Sequence, residues 1–193
     1  MAIKLVDITK KYDDKTVLSH FSYEIQEGIT TCIMGSSGSG KTTLLRIMMG
    51  LEMVDEGRVE GLEWLKKSAI FQEDRLCENL TVATNIKMVK QQPIKMNQLL
   101  EAIKSVGLPP DCLSQAVTQL SGGQKRRVAI LRALMADYDI LFMDEPFKGL
   151  DAETKQQVMD YVKEATAGKT VILVTHDEME CHSMGSEMLF IPL

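Results

Sequence analysis

The stretch that most restricts how this chain can fold is Gly35-Ser36-Ser37-Gly38-Ser39-Gly40-Lys41-Thr42-Thr43. It lies between a strand-like run, Ile29 to Met34, and a segment of helical character, Thr42 to Met49, closed by Gly50. It fits the phosphate-loop pattern G-x-x-x-x-G-K-[ST], in which glycines bring backbone N–H groups close to phosphate oxygens and the lysine supplies a point charge. The motif requires a strand, a glycine loop and a helix in that order, and all three are present. A second helix start follows at Leu120-Ser121-Gly122-Gly123-Gln124. The Ser121 hydroxyl can cap it, while the Gly122 and Gly123 amides and the helix dipole offer a positive end to an anion. Two phosphate-seeking helix starts in one short chain point to one function.

At 193 residues the chain is long enough for one domain with a core of its own, and 45% hydrophobic with 25% charged residues is a globular balance. Its longest apolar stretches, such as Ile140 to Met143 and Val171 to Val174, fall far short of the ~20 residues a membrane-spanning helix needs. Any membrane role must therefore come through a partner. The opening Met1-Ala2-Ile3-Lys4-Leu5 has no charged-then-apolar signal layout and reads as a strand, so the expected location is the cytoplasm. Cys32, Cys77, Cys112 and Cys181 show no C-x-x-C spacing, which suits reduced structural thiols. A net charge of −5 argues against a nucleic-acid footprint. The one basic run, Lys125-Arg126-Arg127, is expected to be the solvated first turn of a helix.

Ile3, Leu5 and Ile8 in residues 2–8, and Val17, Phe21, Tyr23 and Ile25 after them, give two strands of a half-buried antiparallel sheet. Asp55-Glu56-Gly57 reads as a turn, and Ser68 to Phe71 as a strand leading to Gln72. From about 74 to 118 the pattern turns helical. Asn97 is expected to cap a segment with Leu99, Ile103 and Val106 on one face, ended by Gly107 and Pro109-Pro110. A helix over 122–135 follows, and a further one over 152–165 is expected to bury Val158, Tyr161, Val162 and Ala165 before Gly168. Ile140 to Met143 and Val171 to Val174 are strands of the parallel, fully covered kind.

Phosphoryl transfer to water leaves the protein to position ATP, neutralise developing charge and orient one water. Lys41 is placed to hold the β- and γ-phosphates, and the Thr42 hydroxyl to bind Mg²⁺. Ile140 to Glu145 is an apolar strand ending in two carboxylates at the carboxyl edge of the sheet, where ligands of open α/β folds bind. Asp144 suits the anchoring of Mg²⁺, and Glu145, one residue on, suits the general base. Taken alone, an apolar run followed by Asp-Glu is a common strand-to-loop transition.

These elements together resemble the ATP-binding subunit of an ABC transporter over nearly the whole chain. The resemblance implies an α/β fold, a P-loop NTPase core with an antiparallel β subdomain and an α-helical subdomain inserted at about 74–135, all in one domain spanning residues 1–193. It makes Gly35–Thr43 the Walker A loop and Asp144 with Glu145 the Walker B end with its catalytic glutamate. Gln72 resembles the Q-loop glutamine that touches both Mg²⁺ and the attacking water. His176 resembles the switch histidine that donates to the γ-phosphate, although a histidine after a strand is by itself more often a cap. Tyr12 stands where the family places a ring on adenine, with a buried core tyrosine as the competing reading. Leu120 to Gln124 becomes the signature motif, which serves the nucleotide of a second subunit. Asp151 ends the D-loop at the dimer seam, where Lys148 and Gly149 depart from the commonest serine-alanine form.

The resemblance also implies partners: a second ATPase subunit, usually in a homodimer, transmembrane permease subunits, and room for a solute-binding protein, with no nucleic acid. The chain would sit on the inner face of the cell membrane. Phe71 to Leu76, Asn79 to Val82 and Pro146 to Asp151 are most similar to the nitrate, sulfonate and taurine importers. The stretch from Lys41 to Gln72 looks abbreviated, and with one strand expected beyond His176 no C-terminal regulatory domain fits. Permease docking is expected around Gln72 to Val89, through Leu76, Leu80, Ile86 and Met88. A soluble ABC-type ATPase in DNA repair or translation would bring coiled-coil arms, zinc-ligand cysteines or two cassettes, none of which is present. A P-loop small-molecule kinase would leave Ser121-Gly122-Gly123 and His176 without a role.

Overall fold

The structure, a computed structural model, describes residues 2–90 and 92–191. Strands β1 (Ile3–Tyr12), β2 (Lys15–Ile25) and β4 (Glu56–Glu60) make an antiparallel sheet in the order β2-β1-β4. Strands β3 (Thr30–Met34), β5 (Lys67–Ile70), β6 (Ile140–Asp144), β7 (Thr170–Val174) and β8 (Glu187–Phe190) make a second sheet, ordered β5-β6-β7-β3-β8 and parallel throughout. Helix α1 (Lys41–Met49) follows β3 directly. Between β5 and β6 the chain forms α2 (Val82–Lys87), α3 (Met96–Ser105), two 3₁₀ turns at Pro110–Ser114 and Val117–Gln119, and α4 (Gly122–Met135). Helices α5 (Ala152–Ala165) and α6 (Glu178–Met184) flank β7.

Side chains alternate across a strand, so one sheet feeds two cores. Leu141 and Met143 of β6, Val171 and Leu173 of β7, and Cys32 and Met34 of β3 pack with the inserted helices. Ile140, Phe142, Ile172, Val174 and Ile33 face the other way, onto Leu44, Leu45 and Met48 of α1 and onto Ile3, Leu5 and Ile8 of β1. A sheet covered on both faces explains why β6 and β7 are buried at every residue.

Several local expectations change. Asp55-Glu56-Gly57 is not simply a turn: β4 starts at Glu56 and pairs with β1, and a Cβ at Gly57 would collide with the carbonyl oxygens of Val6 and Asp7. Strand β1 runs on to Tyr12 rather than ending near Ile8. Asn97 does not cap α3; the N-cap is Lys95, whose N–H donates to Gln98 Oε1 at 3.0 Å. Ala165 is exposed, and Thr166 is buried in its place with its hydroxyl donating to Val162 O. Beyond His176 lies α6 as well as a strand. Cys32 and Cys181, far apart in sequence, are disulfide-linked in the core, while Cys77 and Cys112 are free.

Candidate nucleotide site

Because the strands of the larger sheet are parallel, their carboxyl ends bring four connections to one edge. These are the loop from Gly35 after β3, Phe71-Gln72 after β5, Glu145 after β6, and Thr175-His176 after β7. They enclose an open cleft of about 610 Å³ lined by Lys41, Thr42, Gln72, Asp144, Glu145 and His176, with Ser37, Gly38, Gly40 and Thr43 along the loop. Val17 and Lys148, neither expected, also line it.

The loop is shaped for an anion. Helix α1 begins at Gly40, φ +91°, with no side-chain cap and no acidic residue in its first turn. The first-turn amides and the positive end of the dipole are thus left to a ligand. No larger residue fits at Gly40, since a Cβ would stand 2.9 Å from Val17 Cγ1 and 3.0 Å from Val17 O. Lys41 Nζ folds back on the loop, donating to Gly35 O and Ser36 O at 2.7 Å each. Ser39 Oγ is buried without a hydrogen-bond partner among the described residues. A parked ammonium and uncapped amides around one concavity fit phosphate oxygens.

The cation site is half-built. Thr42 Oγ1 donates to Asp144 Oδ1 at 3.3 Å, placing a hydroxyl and a buried carboxylate side by side. Burial pushes the Asp144 carboxyl above its ordinary range, the Thr42 hydrogen bond lowers it, the charge of Glu145 raises it, and Arg126 and Lys41 lower it; the net is upward. Among the described residues no group of three or more His, Cys, Asp or Glu side chains could hold a metal alone. Two hard oxygens fit Mg²⁺, which keeps waters and completes its shell with substrate phosphates.

Glu145 stands in the left-handed region at φ +48°, its N–H donating to Val174 O at 2.9 Å. Its carboxylate meets His176 Nδ1 at 2.9 and 3.0 Å, so the two residues assigned to the γ-phosphate end are already in contact. Gln72 is exposed at the mouth. Tyr12 does not join the cleft: it ends β1, 42% exposed, with the Lys10 ammonium 5.3 Å from its ring centre.

The signature segment opens elsewhere. Ser121 caps α4 by accepting from Gln124 N at 3.3 Å, and Gln124 Oε1 accepts from Ser121 N at 2.9 Å. That reciprocal pair is a capping box, legible as Ser-x-x-Gln. Leu120 is buried, Ser121 and Gly122 are exposed, and none of residues 120–124 lines the chain's own cleft. Asp151 caps α5 by accepting from Thr154 N at 3.0 Å, and this N–H holds its carboxyl below the usual range.

The solvated basic turn is the clearest correction. Lys125 stays at the surface near Glu78, but Arg126 is 4% exposed and Arg127 Nη1 closes onto Val106 O and Gly107 O. Arg126 reaches the backbone of both Gln72 and Glu145, which makes it, behind the cleft lining, a further residue of the site that the sequence did not point to. Its signal was a basic residue close to the apolar Val128-Ala129-Ile130 run, which charge alone cannot place.

The family model described as "ABC transporter" matches residues 18–148. The chain is 39% identical to the spermidine/putrescine import ATP-binding protein PotA of Hahella chejuensis, covering 97% of this chain and 55% of that one. It is 37% identical to the aliphatic sulfonates import ATP-binding protein SsuB 3 of Rhodococcus jostii, covering 99% and 71%. The chain thus spans little more than half the length of some relatives. Among solved structures it superposes on the dimeric bacterial ABC transporter cassette MJ0796 with a TM-score of 0.85 and 30% identity, over 98% of this chain and 94% of that one.

Proposed function

The chain belongs to the ABC transporter family, and on that premise we propose that it is the ATP-binding and hydrolysing subunit of a transporter, an importer by its relatives. The observation that carries this is the single cleft in which a phosphate-shaped loop, an oxygen pair for a divalent cation and the Glu145–His176 contact converge. The related proteins named as import ATP-binding subunits favour transport over a role in DNA repair or translation.

In this reading the loop amides and Lys41 take the β- and γ-phosphates, Lys41 exchanging its carbonyl partners for phosphate oxygens. Mg²⁺, when bound by Thr42 and Asp144, supplies charge neutralisation at those phosphates. Glu145 accepts a proton from a water as its oxygen bonds to the γ-phosphorus, and the bond from that phosphorus to the bridging oxygen breaks to release ADP. His176 steadies the Glu145 carboxylate, and Gln72 fixes the water from the cleft mouth.

Two subunits would face one another, each giving Ser121, Gly122 and Gly123 to the other's nucleotide, as the separation of that segment from its own cleft suggests. A solved relative binds ADP and phosphate as a dimer. Among the described residues no helix is long and apolar enough to cross a membrane. The pore would belong to permease subunits, with this chain peripheral on the inner face of the membrane. For docking, Leu80, Met88 and Val89 are exposed, whereas Ile86 is fully buried and drops out of the set.

The test uses purified protein. Glu145→Gln is expected to keep ATP affinity and lower turnover by roughly 10²–10⁴-fold, the range for a general base; Lys41→Ala is expected to lose nucleotide binding. Undiminished phosphate release by the Gln variant would remove Glu145 from the chemistry.

A further inference from the structure

We propose that Arg126 is a positioning residue for hydrolysis, a single guanidinium that clamps the Gln72 loop and the backbone of Glu145 to the start of α4. The proposal rests on the ATPase reading above. A guanidinium carries five N–H donors in a rigid plane. At Arg126 they are distributed over the two loops that frame the cation site. Nη1 donates to Phe71 O at 2.6 Å, Asp74 Oδ1 at 3.2 Å and Gln72 O at 3.4 Å. Nη2 donates to Glu145 O at 2.6 Å and Asp144 O at 3.2 Å, and Nε to Pro146 O at 2.7 Å.

The contact to Glu145 has mechanical weight. A residue with a Cβ stays in the left-handed region only where its surroundings hold it. Glu145 is held there at its N–H by Val174 O, at its carbonyl by Arg126 Nη2, and at its carboxylate by His176. Release the carbonyl and the peptide can relax, re-aiming the carboxylate that must meet a water. Because Nη1 of the same plane grips Phe71 O, a displacement of residues 71–74 is passed to Glu145 through this one rigid guanidinium. The neighbouring basic residues act elsewhere, Lys125 pairing with Glu78 at the surface and Arg127 closing the turn at Gly107.

Lysine separates positioning from simple burial of a charge, since a single ammonium keeps the cation but cannot span six oxygens in a plane. The wild type, Arg126→Lys and Arg126→Met are compared by steady-state MgATP hydrolysis, titration with a fluorescent ATP analogue, and hydrogen exchange of residues 71–76 and 143–148. The expected result for Arg126→Lys is unchanged analogue affinity with kcat lowered on the order of 10²-fold, the cost of a displacement of about 1 Å in a reacting group. Exchange should quicken in both segments together and nowhere else. A Lys variant with wild-type kcat, one that loses only nucleotide affinity, one that exchanges faster throughout, or one that does not fold overturns the proposal; the Met variant need not fold. A wild type that releases no phosphate would sink the ATPase reading instead, leaving the exchange result to decide the clamp.

Discussion

Under the proposed function, Asp144 would be held ready for a cation at some expense to the fold that holds it. Its side chain lies at the buried end of β6, and burial raises its carboxyl more than the Thr42 hydroxyl and the nearby cations lower it. A carboxyl raised by the fold contributes unfavourably above its unfolded pKa, and the penalty fades as pH drops and the group protonates. Without a metal, the ionised form of Asp144 is therefore disfavoured by its surroundings. Asp144→Asn is expected to leave the nucleotide-free protein with an equal or higher melting temperature while removing Mg²⁺-dependent hydrolysis. Both are read on one preparation, by calorimetry and phosphate release. A lower melting temperature would mean that the ionised group is favourable without metal, and the account of its environment would fail. Lys41 shows the same readiness with the opposite sign, a cation parked on carbonyl oxygens that a phosphate can replace.

At the scale of elements, the junction of α5 with α6 decides how firmly His176 is presented. Lys155 on α5 donates to Asp177 Oδ2 at 2.6 Å and reaches Glu180 Oε1 at 2.5 Å, while Glu180 Oε2 accepts from Thr175 Oγ1 at 2.7 Å. His176 is thus flanked by two anchored residues. Lys155 holds the Asp177 carboxyl below its usual range; burial lowers Lys155, but the hydrogen bonds and charges of Asp177 and Glu180 together raise it by more. The Asp177 contribution is complete above the ordinary carboxylate pKa and lost as pH falls through the depressed value; that of Lys155 is complete below the ordinary lysine pKa and lost as pH rises through the raised one. Lys155→Met leaves Glu180, 4% exposed, without its cation. The expected loss is about 3–5 kcal/mol by urea unfolding at neutral pH, the range for breaking a buried pair, with Arg restoring most of it. A loss under about 1 kcal/mol would class the pair with surface bridges. The sequence made much of this site readable, because glycine loops, strand ends and Ser-x-x-Gln are local patterns. Arg126, the Cys32–Cys181 pair and β4 at Gly57 were not readable, since each depends on what another part of the chain brings near. Asn97 was a plausible cap by type, but Lys95 and Gln98 close the helix start two residues earlier.

On the scale of the whole molecule, the two segments proposed to form one site lie apart within the chain. The cleft with Lys41 and Glu145 opens at the carboxyl edge of the parallel sheet, and the start of α4 with Ser121 and Gly122 lies outside its lining. Helix α4 cannot swing onto that cleft as a rigid body while Arg126, at its fifth residue, ties it to Phe71, Glu145 and Pro146. In the shared-site reading proposed above, a second copy related by a two-fold axis would complete both sites at once, because such an interface repeats every contact. Lys41→Ala should then lose nucleotide binding, whereas Ser121→Arg should bind ATP as a monomer with nearly wild-type affinity and hydrolyse none. A mixed dimer of the two has one site with neither lesion and one with both. Mixing two inactive preparations is therefore expected to restore part of the wild-type phosphate release, rising as the ratio approaches equality. The control is Lys41→Ala mixed with Glu145→Gln, because both lesions fall on the cleft side. That mixed dimer has no intact site and should stay inactive. Equal loss of monomer binding in the Ser121 and Lys41 variants would place the signature segment in its own chain's pocket and end the shared-site reading.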